Sequence, residues 1–215
     1  MIPLFHDFTD ETVLVFGGGP VGARKARRFA REARVVVVSP AFADRAFGGA
    51  DLVRAAPAPG DVGAWLDRAD PALVVAATDD PEVNAAVARA AREREVLVNR
   101  TDESGSRDAG SVVVPATVRD DPVAVAVSTG GTSPALSKHL RERLEADLDG
   151  AGAMAELTAD IRADLQARGV APDRRRDAVR AVVRDERVWK ALDTGPSKAK
   201  DTAADVISDV RGEPS

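Results

Sequence analysis

Short runs of apolar residues alternate along the first half of the chain with stretches whose apolar positions recur every three or four residues. Val13–Phe16 is an unbroken apolar run that ends on a glycine cluster, which predicts a buried strand. From Val21 to about Glu32 the residues Val21, Ala26, Phe29 and Ala30 fall at helical spacing, with Arg24, Lys25, Arg27 and Arg28 around the other face. Val35–Val38 is β-branched throughout, which suits a strand buried on both faces of a parallel sheet, and Pro40 stops it. A third strand is predicted at Asp51–Arg54, a loop at Pro57–Gly60 and a short helix over Val62–Arg68. Leu73–Ala77 predicts the next strand. Pro81 then opens a helix at a position where the missing N–H costs nothing, and that helix runs to about Glu95. Val96–Val98 predicts a fifth strand. Ile2–Phe5, ahead of a polar turn at Asp7–Glu11, predicts an edge strand. Strand–helix alternation with short links is the pattern of a doubly wound parallel sheet, so the expected fold class is α/β, Rossmann-like.

After Asp102 the period changes. Glu103–Gly110 is rich in Ser, Gly and Asp and predicts a mobile loop. Ser111–Val114 and Val123–Val127 predict two strands, with Pro115 and a turn at Arg119–Pro122 between them. A small-residue loop, Ser128–Pro134, leads into a helix over Ala135–Leu148 with Leu136, Leu140, Leu144 and Leu148 in one stripe. Two strands and a helix bury too little to stand alone. They must pack on the first domain or on a second copy, and a homodimer is expected. Helical spacing follows over Met154–Ala167, Pro172–Arg184 and about Arg187–Leu192, and composition drifts to Gly, Pro, Ser, Lys and Asp from Thr194. The expected organisation is a dinucleotide-binding domain over 1–110, a small α+β dimerisation domain over 111–150, a helical domain over 151–193 and a flexible tail over 194–215.

Composition narrows the function classes. The 215 residues are 44% hydrophobic and 30% charged, enough for one ordinary domain and a smaller one. No apolar run approaches the ~20 residues that span a bilayer. The opening Met1–Asp7 does not read as a signal peptide, so a cytoplasmic protein with no membrane partner is expected. Without cysteine there is no disulfide, thiol nucleophile or thiolate metal site. A net charge of −5 and only 4% aromatic residues argue against a nucleic-acid partner. Between Asp173 and Lys190 seven basic residues stand among four acids, which predicts a solvated helix face, with a face towards an anionic ligand as the alternative. His6 and His139 are too isolated to form a metal cage, and no resident metal is expected.

The candidate chemistry lies at the ends of the predicted strands, where open α/β sheets bind ligands. Gly17, Gly19 and Gly22 fit G-x-G-x-x-G between a strand and a helix. Gly17 permits the turn, Gly19 admits a pyrophosphate and Gly22 lets the helix close on the sheet, with Gly18, Pro20 and Val21 completing the loop. The other strand ends are Ser39, Pro40 and Ala41, then Thr78 and Asp79, then Asn99–Asp102. Asp79 and Asp80 are expected to cap the helix beside the cofactor. Ser39 stands where many such folds carry an acid for the adenosine ribose, and no acid follows until Asp44. These residues do not separate NAD from NADP, and Arg45 leaves NADP open. Asp102, three residues past a strand, lies at the crevice rim, where a loop acid capping a turn is the equal alternative to a functional carboxylate.

The segments Pro3–Phe5, Gly17–Ala26, Ala77–Asp80, Asn99–Asp102, Val125–Pro134 and Arg141–Glu145, in this order and spacing, resemble the precorrin-2 dehydrogenase family, equivalent to the N-terminal half of siroheme synthase. The resemblance covers roughly residues 1–150. It implies an intertwined homodimer that oxidises precorrin-2 to sirohydrochlorin with NAD; some members also insert Fe²⁺ to give siroheme. It places the family's catalytic aspartate on Asp102. Thr129, just after Ser128, stands where some members have a serine in this loop. Precorrin-2 is a polycarboxylate, so Arg100, Arg107, Arg119, Lys138 and Arg141 are candidate substrate contacts, alongside Asn99, Ser128 and Thr129. A reading from another class is a non-catalytic dinucleotide-sensing regulatory domain.

Overall fold

The computed structural model describes residues 2–102 and 110–211, and it divides into two compact units at Val114 and Pro115. The first unit is built on five strands: β1 (Thr12–Phe16), β2 (Arg34–Ser39), β3 (Asp51–Arg54), β4 (Leu73–Ala76) and β5 (Leu97–Arg100). Their order is β3-β2-β1-β4-β5 and every neighbouring pair is parallel. The chain runs outward from β1 to one edge and then returns to the other side, so the order reverses between β1 and β4.

Alternation along each strand divides the apolar residues between two faces. Val13 and Val15 of β1, with Val35 and Val37 of β2, pack against Ala23, Ala26 and Phe29 of helix α1 (Pro20–Phe29). Leu14 and Phe16 pack with Val38 and Val74 on the opposite face, against Leu66 of α2 (Val62–Ala69) and Val83 and Val87 of α3 (Pro81–Glu93). Burial on both faces explains why β1, β2 and β4 read as continuous apolar runs.

Three local expectations differ from the structure. Ile2–Phe5 forms no strand, and Ile2, Leu4 and Phe5 are exposed. Ser111–Val114 is not a full strand: Ser111 makes a single parallel bridge to Val98, while Val112 and Val114 pack against the α1-side core. The loop expected over Glu103–Gly110 lies, apart from Gly110, outside the described residues, as does Arg107.

The second unit opens with an antiparallel hairpin, β6 (Ala116–Asp120) and β7 (Val123–Val127), closed by the two residues Asp121 and Pro122. Arg119 and Asp120, expected in the turn, therefore belong to a strand that polar composition concealed. Helix α4 (Pro134–Asp147) follows, capped by Ser133, whose Oγ accepts the Leu136 N–H at 3.2 Å. Helix α4 buries none of its residues. Helices α5 (Ala151–Ala167), α6 (Pro172–Arg184), α7 (Glu186–Leu192) and α8 (Pro196–Arg211) close around Met154, Leu157, Val182, Val188, Ala191, Ala199, Ala203 and Val206. The Gly152 N–H of α5 donates to Asp120 Oδ2 at 2.8 Å, tying the helices to the hairpin. The separate domains expected over 111–150 and 151–193 thus fall into one unit, apart from residues 111–114. Among the described residues no helix is long and apolar enough to cross a membrane.

The flexible tail expected from Thr194 is corrected to helix α8. Its composition is polar, but Ala199, Ala203 and Val206 recur at helical spacing and are buried. Placing a charge at Ala203 leaves it unpaired in this core. Ala203→Asp is expected to lower unfolding stability by about 3–5 kcal/mol, whereas exposed Asp205→Ala should stay within about 0.5 kcal/mol. Chemical denaturation of the two variants checks this; equal effects would mean that α8 is not packed.

Candidate functional site

The register sets Phe16 beside both Val38 and Ala76, so β1, β2 and β4 end level and open their following loops at one edge. The glycines hold these loops together. Gly17 has φ +113°, and a Cβ there would lie 2.2 Å from the Ala77 carbonyl oxygen. A Cβ on Gly18 would lie 2.3 Å from the Ala41 oxygen and 2.9 Å from the Ser39 Cβ. The Ala43 N–H closes the same contact by donating to the Gly18 carbonyl at 2.8 Å. The structure therefore brings the first three expected strand ends together.

Gly22 sits in the first turn of α1, and a Cβ on it would lie 1.9 Å from the Gly17 oxygen. Gly19 is different: no atom lies within 4 Å of where its Cβ would be. It is the N-cap of α1, with no side-chain cap bond, Pro20 next to it and no acid in the first turn. An open glycine at an uncapped helix N-terminus leaves backbone N–H groups and the positive end of the dipole for an anion. This cradle fits the pyrophosphate of a dinucleotide.

At the end of β2 the buried Ser39 donates its hydroxyl to the Ala41 carbonyl at 2.7 Å. Pro40 and Ala41 are exposed beside it. The cation with contacts here is Arg54 at the end of β3, which the sequence did not single out. Its Nη1 donates to the Pro40 carbonyl at 3.0 Å, and its guanidinium lies 5.8 Å from the Phe42 ring centre.

Thr78 leads from the glycine loop to the rest of the site. Its backbone N–H and hydroxyl lie 3.2 and 2.7 Å from Asn84 Oδ1, and Asn84 Nδ2 donates back to the Thr78 carbonyl at 3.0 Å. Asn84 is 1% exposed, on the inner face of α3. It escaped sequence reading, although an asparagine on an apolar helical stripe beside Val83 and Val87 is the signal that marks it. The helix cap is Asp80, whose Oδ1 accepts from the Glu82 and Val83 N–H groups; Asp79 is exposed.

Asp102, two residues beyond β5, receives a two-pronged ion pair from Arg100: Nε to Oδ1 at 3.1 Å and Nη2 to Oδ2 at 2.7 Å. The Arg100 guanidinium, and to a lesser degree the Asn84 amide, hold the Asp102 carboxyl below the usual carboxylate range against the opposing effect of burial. The group is therefore ionised at neutral pH and remains partly accessible. Asn99, expected as a substrate contact, is buried. Its Nδ2 donates to the Val112 carbonyl at 2.8 Å, and its Oδ1 has no hydrogen-bond partner among the described residues.

The remaining candidates lie in the second unit. Ser128 Oγ accepts the Gly130 N–H, and Thr129 Oγ1 accepts the Ser133 N–H and lies 3.0 Å from Ser137 Oγ, so both hydroxyls close their own loop. Arg141 is paired with Glu145 at 2.6 Å and Lys138 with Glu142 at 3.8 Å. Arg119 lies 3.6 Å from Asp121. Among the described residues no group of three or more His, Asp or Glu is placed to hold a metal ion.

The two glycines separate folding from binding. Alanine at Gly22 gains about 1 kcal/mol of helix propensity, but the 1.9 Å approach to Gly17 forces the backbone apart. Gly22→Ala is expected to lose about 1–3 kcal/mol of stability and dinucleotide binding with it. Gly19→Ala, in extended backbone with open space, should melt like the parent yet bind NAD⁺ at least about tenfold more weakly, about 1.4 kcal/mol. Thermal melting and calorimetric titration together test the pair; unchanged NAD⁺ affinity in Gly19→Ala would remove the loop from the site.

Comparison with known proteins agrees with this geometry. Residues 4–116 match the family described as putative NAD(P)-binding, and residues 120–147 match the central segment of sirohaem biosynthesis proteins. The siroheme synthase of Azotobacter vinelandii (strain DJ) is 38% identical over 203 residues, covering 91% of this chain and 39% of that protein. Siroheme synthase 1 of Aeromonas salmonicida (strain A449) is 34% identical over 214 residues, covering 96% of this chain and 44% of that protein. The chain thus spans about two fifths of the length of these curated relatives. Among solved structures, SirC, a precorrin-2 dehydrogenase, superposes with a TM-score of 0.70 at 22% identity, over 96% of this chain and 98% of that one, a likeness of fold. The first unit, with its level strand ends and open glycine cradle, belongs to the putative NAD(P)-binding family, and the central segment of sirohaem biosynthesis proteins follows it in the same chain.

Proposed function

We propose that this chain catalyses the NAD-dependent dehydrogenation of precorrin-2 to sirohydrochlorin. One observation carries the reading: the sirohaem biosynthesis segment follows directly on a dinucleotide crevice whose rim holds an ionised aspartate. The named relatives support the same pathway.

In this proposal Gly17–Gly22 hold the pyrophosphate, and the β2 end holds the adenosine ribose. When bound, the nicotinamide accepts the hydride that leaves the macrocycle. The accompanying proton needs an acceptor, and Asp102 supplies one that is ionised in the resting state. Arg100 lowers the basicity of Asp102 but fixes its direction, and the Thr78–Asn84 bonds tie that carboxylate to the glycine loop. An ionised, accessible carboxylate is also suited to taking pyrrole protons, and we extend the proposal to ferrous iron as a second substrate. The active form is proposed to be a homodimer, because the leucine stripe of α4 is only half-buried within its own unit and Leu136 is exposed.

Purified protein with precorrin-2 and NAD⁺ should form NADH, and Fe²⁺ added afterwards should yield siroheme above the uncatalysed rate. Asp102→Asn should lower the dehydrogenation rate by about 100-fold or more while NAD⁺ affinity stays unchanged; full activity in that variant would overturn the assignment.

Arg100→Gln tests the electrostatics separately. Arg100 holds the Asp102 carboxyl low, so parent activity falls only as pH drops through that depressed value. Without the guanidinium the carboxyl returns towards its ordinary range, and the acid limb of the kcat profile moves to higher pH. An acid limb that stays in place would mean Asp102 is not the titrating base.

A further inference from the structure

The second unit carries a cavity that dinucleotide chemistry does not use. Its volume is about 260 Å³, and it is lined by Arg162 of α5 and by Pro172, Arg175, Arg176, Val179 and Arg180 of α6. Four guanidinium groups and no carboxylate line it. The sequence favours a solvated face for this stretch over one that meets an anionic ligand. Instead Arg175 and Val179 are half-buried, and an arginine from a second helix joins the α6 row.

Two of the four arginines have neighbouring acids on α6. Arg176 pairs with Asp173, and Arg180 lies 3.6 Å from Asp177. Arg162 and Arg175 have no acid partner among the described residues. In a protein whose net charge is −5, two unneutralised cations converge on one concavity. Like charges held together repel, and a bound anion relieves that repulsion.

We propose that this cavity binds a small anion carrying two or more phosphate or carboxylate groups. Guanidinium groups present flat, forked donors that match the paired oxygens of both groups. Arginines from two helices can grip two such groups at once. The cavity is below the ~300 Å³ at which drug-sized ligand sites begin, which favours a compact polyanion over a nucleotide or a macrocycle. The Pro172 and Val179 side chains add an apolar part to the wall, where screening by water is weaker.

The test is calorimetric titration of the full chain at low ionic strength with pyrophosphate and, separately, with citrate. Saturating NAD⁺ is present throughout, so that the glycine loop is filled. One or both anions should saturate a single site and weaken as salt is raised. Tighter binding of pyrophosphate identifies a phosphate site, and tighter binding of citrate a carboxylate site. Arg162→Gln and Arg175→Gln should each weaken binding about tenfold, with unchanged melting. Arg174→Gln removes the same charge one residue outside the lining and should leave binding intact. Failure of both anions to saturate overturns the proposal, as does binding that survives both cavity substitutions. A loss in Arg174→Gln equal to that in Arg175→Gln also overturns it, because general surface charge would then account for the binding.

Discussion

The first unit depends on one close approach: helix α1 starts where strand β1 stops, with Gly22 against the Gly17 carbonyl. The space a single methyl group would need is missing there, so helix and strand share one backbone surface. Gly17 against Ala77 and Gly18 against Ala41 repeat the device towards β4 and β2. Three strand ends are thereby fixed by absent side chains rather than by side-chain contacts. The open position at Gly19 has meaning because its neighbours are closed. It is the one member of the glycine motif whose missing side chain faces empty space.

From that edge to Asp102 the structure changes its means of connection. The glycine loop is held by backbone contact, whereas β4, α3 and β5 are linked by a buried amide. Asn84 Oδ1 faces the Thr78 N–H and hydroxyl, its Nδ2 donates to the Thr78 carbonyl, and the amide also helps to keep the Asp102 carboxyl ionised. A satisfied buried amide is rigid because every alternative orientation leaves a polar group unpaired. Arg100 then sets the charge state of Asp102 by a short two-pronged pair.

The sequence made the sheet legible where burial on both faces leaves unbroken apolar runs, as in β1, β2 and β4. It made the nucleotide edge legible because the spacing of glycines reports backbone geometry directly. Asn84 stayed hidden because its role depends on the approach of Thr78 and Asp102, and no local period announces that. Strand β6 was concealed because a two-stranded hairpin tolerates Arg119 on its open side, while Asp120 on the other face is satisfied by the Gly152 N–H. In Ile2–Phe5 apolar character was present without any partner to cover it. Helix α8 shows the opposite error: its composition is polar, yet the spacing of Ala199, Ala203 and Val206 already contained the helix. Period outweighs composition when the buried residues are small.

That last feature shapes how the second unit can change over evolutionary time. Ala191, Ala199 and Ala203 occupy its core, with Ala178 buried on α6. A leucine-rich interior can drift in both directions, since large residues shrink and neighbours grow in compensation. At these alanines there is almost no smaller state to visit, and enlargement pushes helices apart. Substitutions that persist are therefore confined to the outward faces. Where α6, α7 and α8 meet through alanine, the seam is held nearly constant while the outward faces stay free, so surface charge can be rewritten while helix spacing is kept.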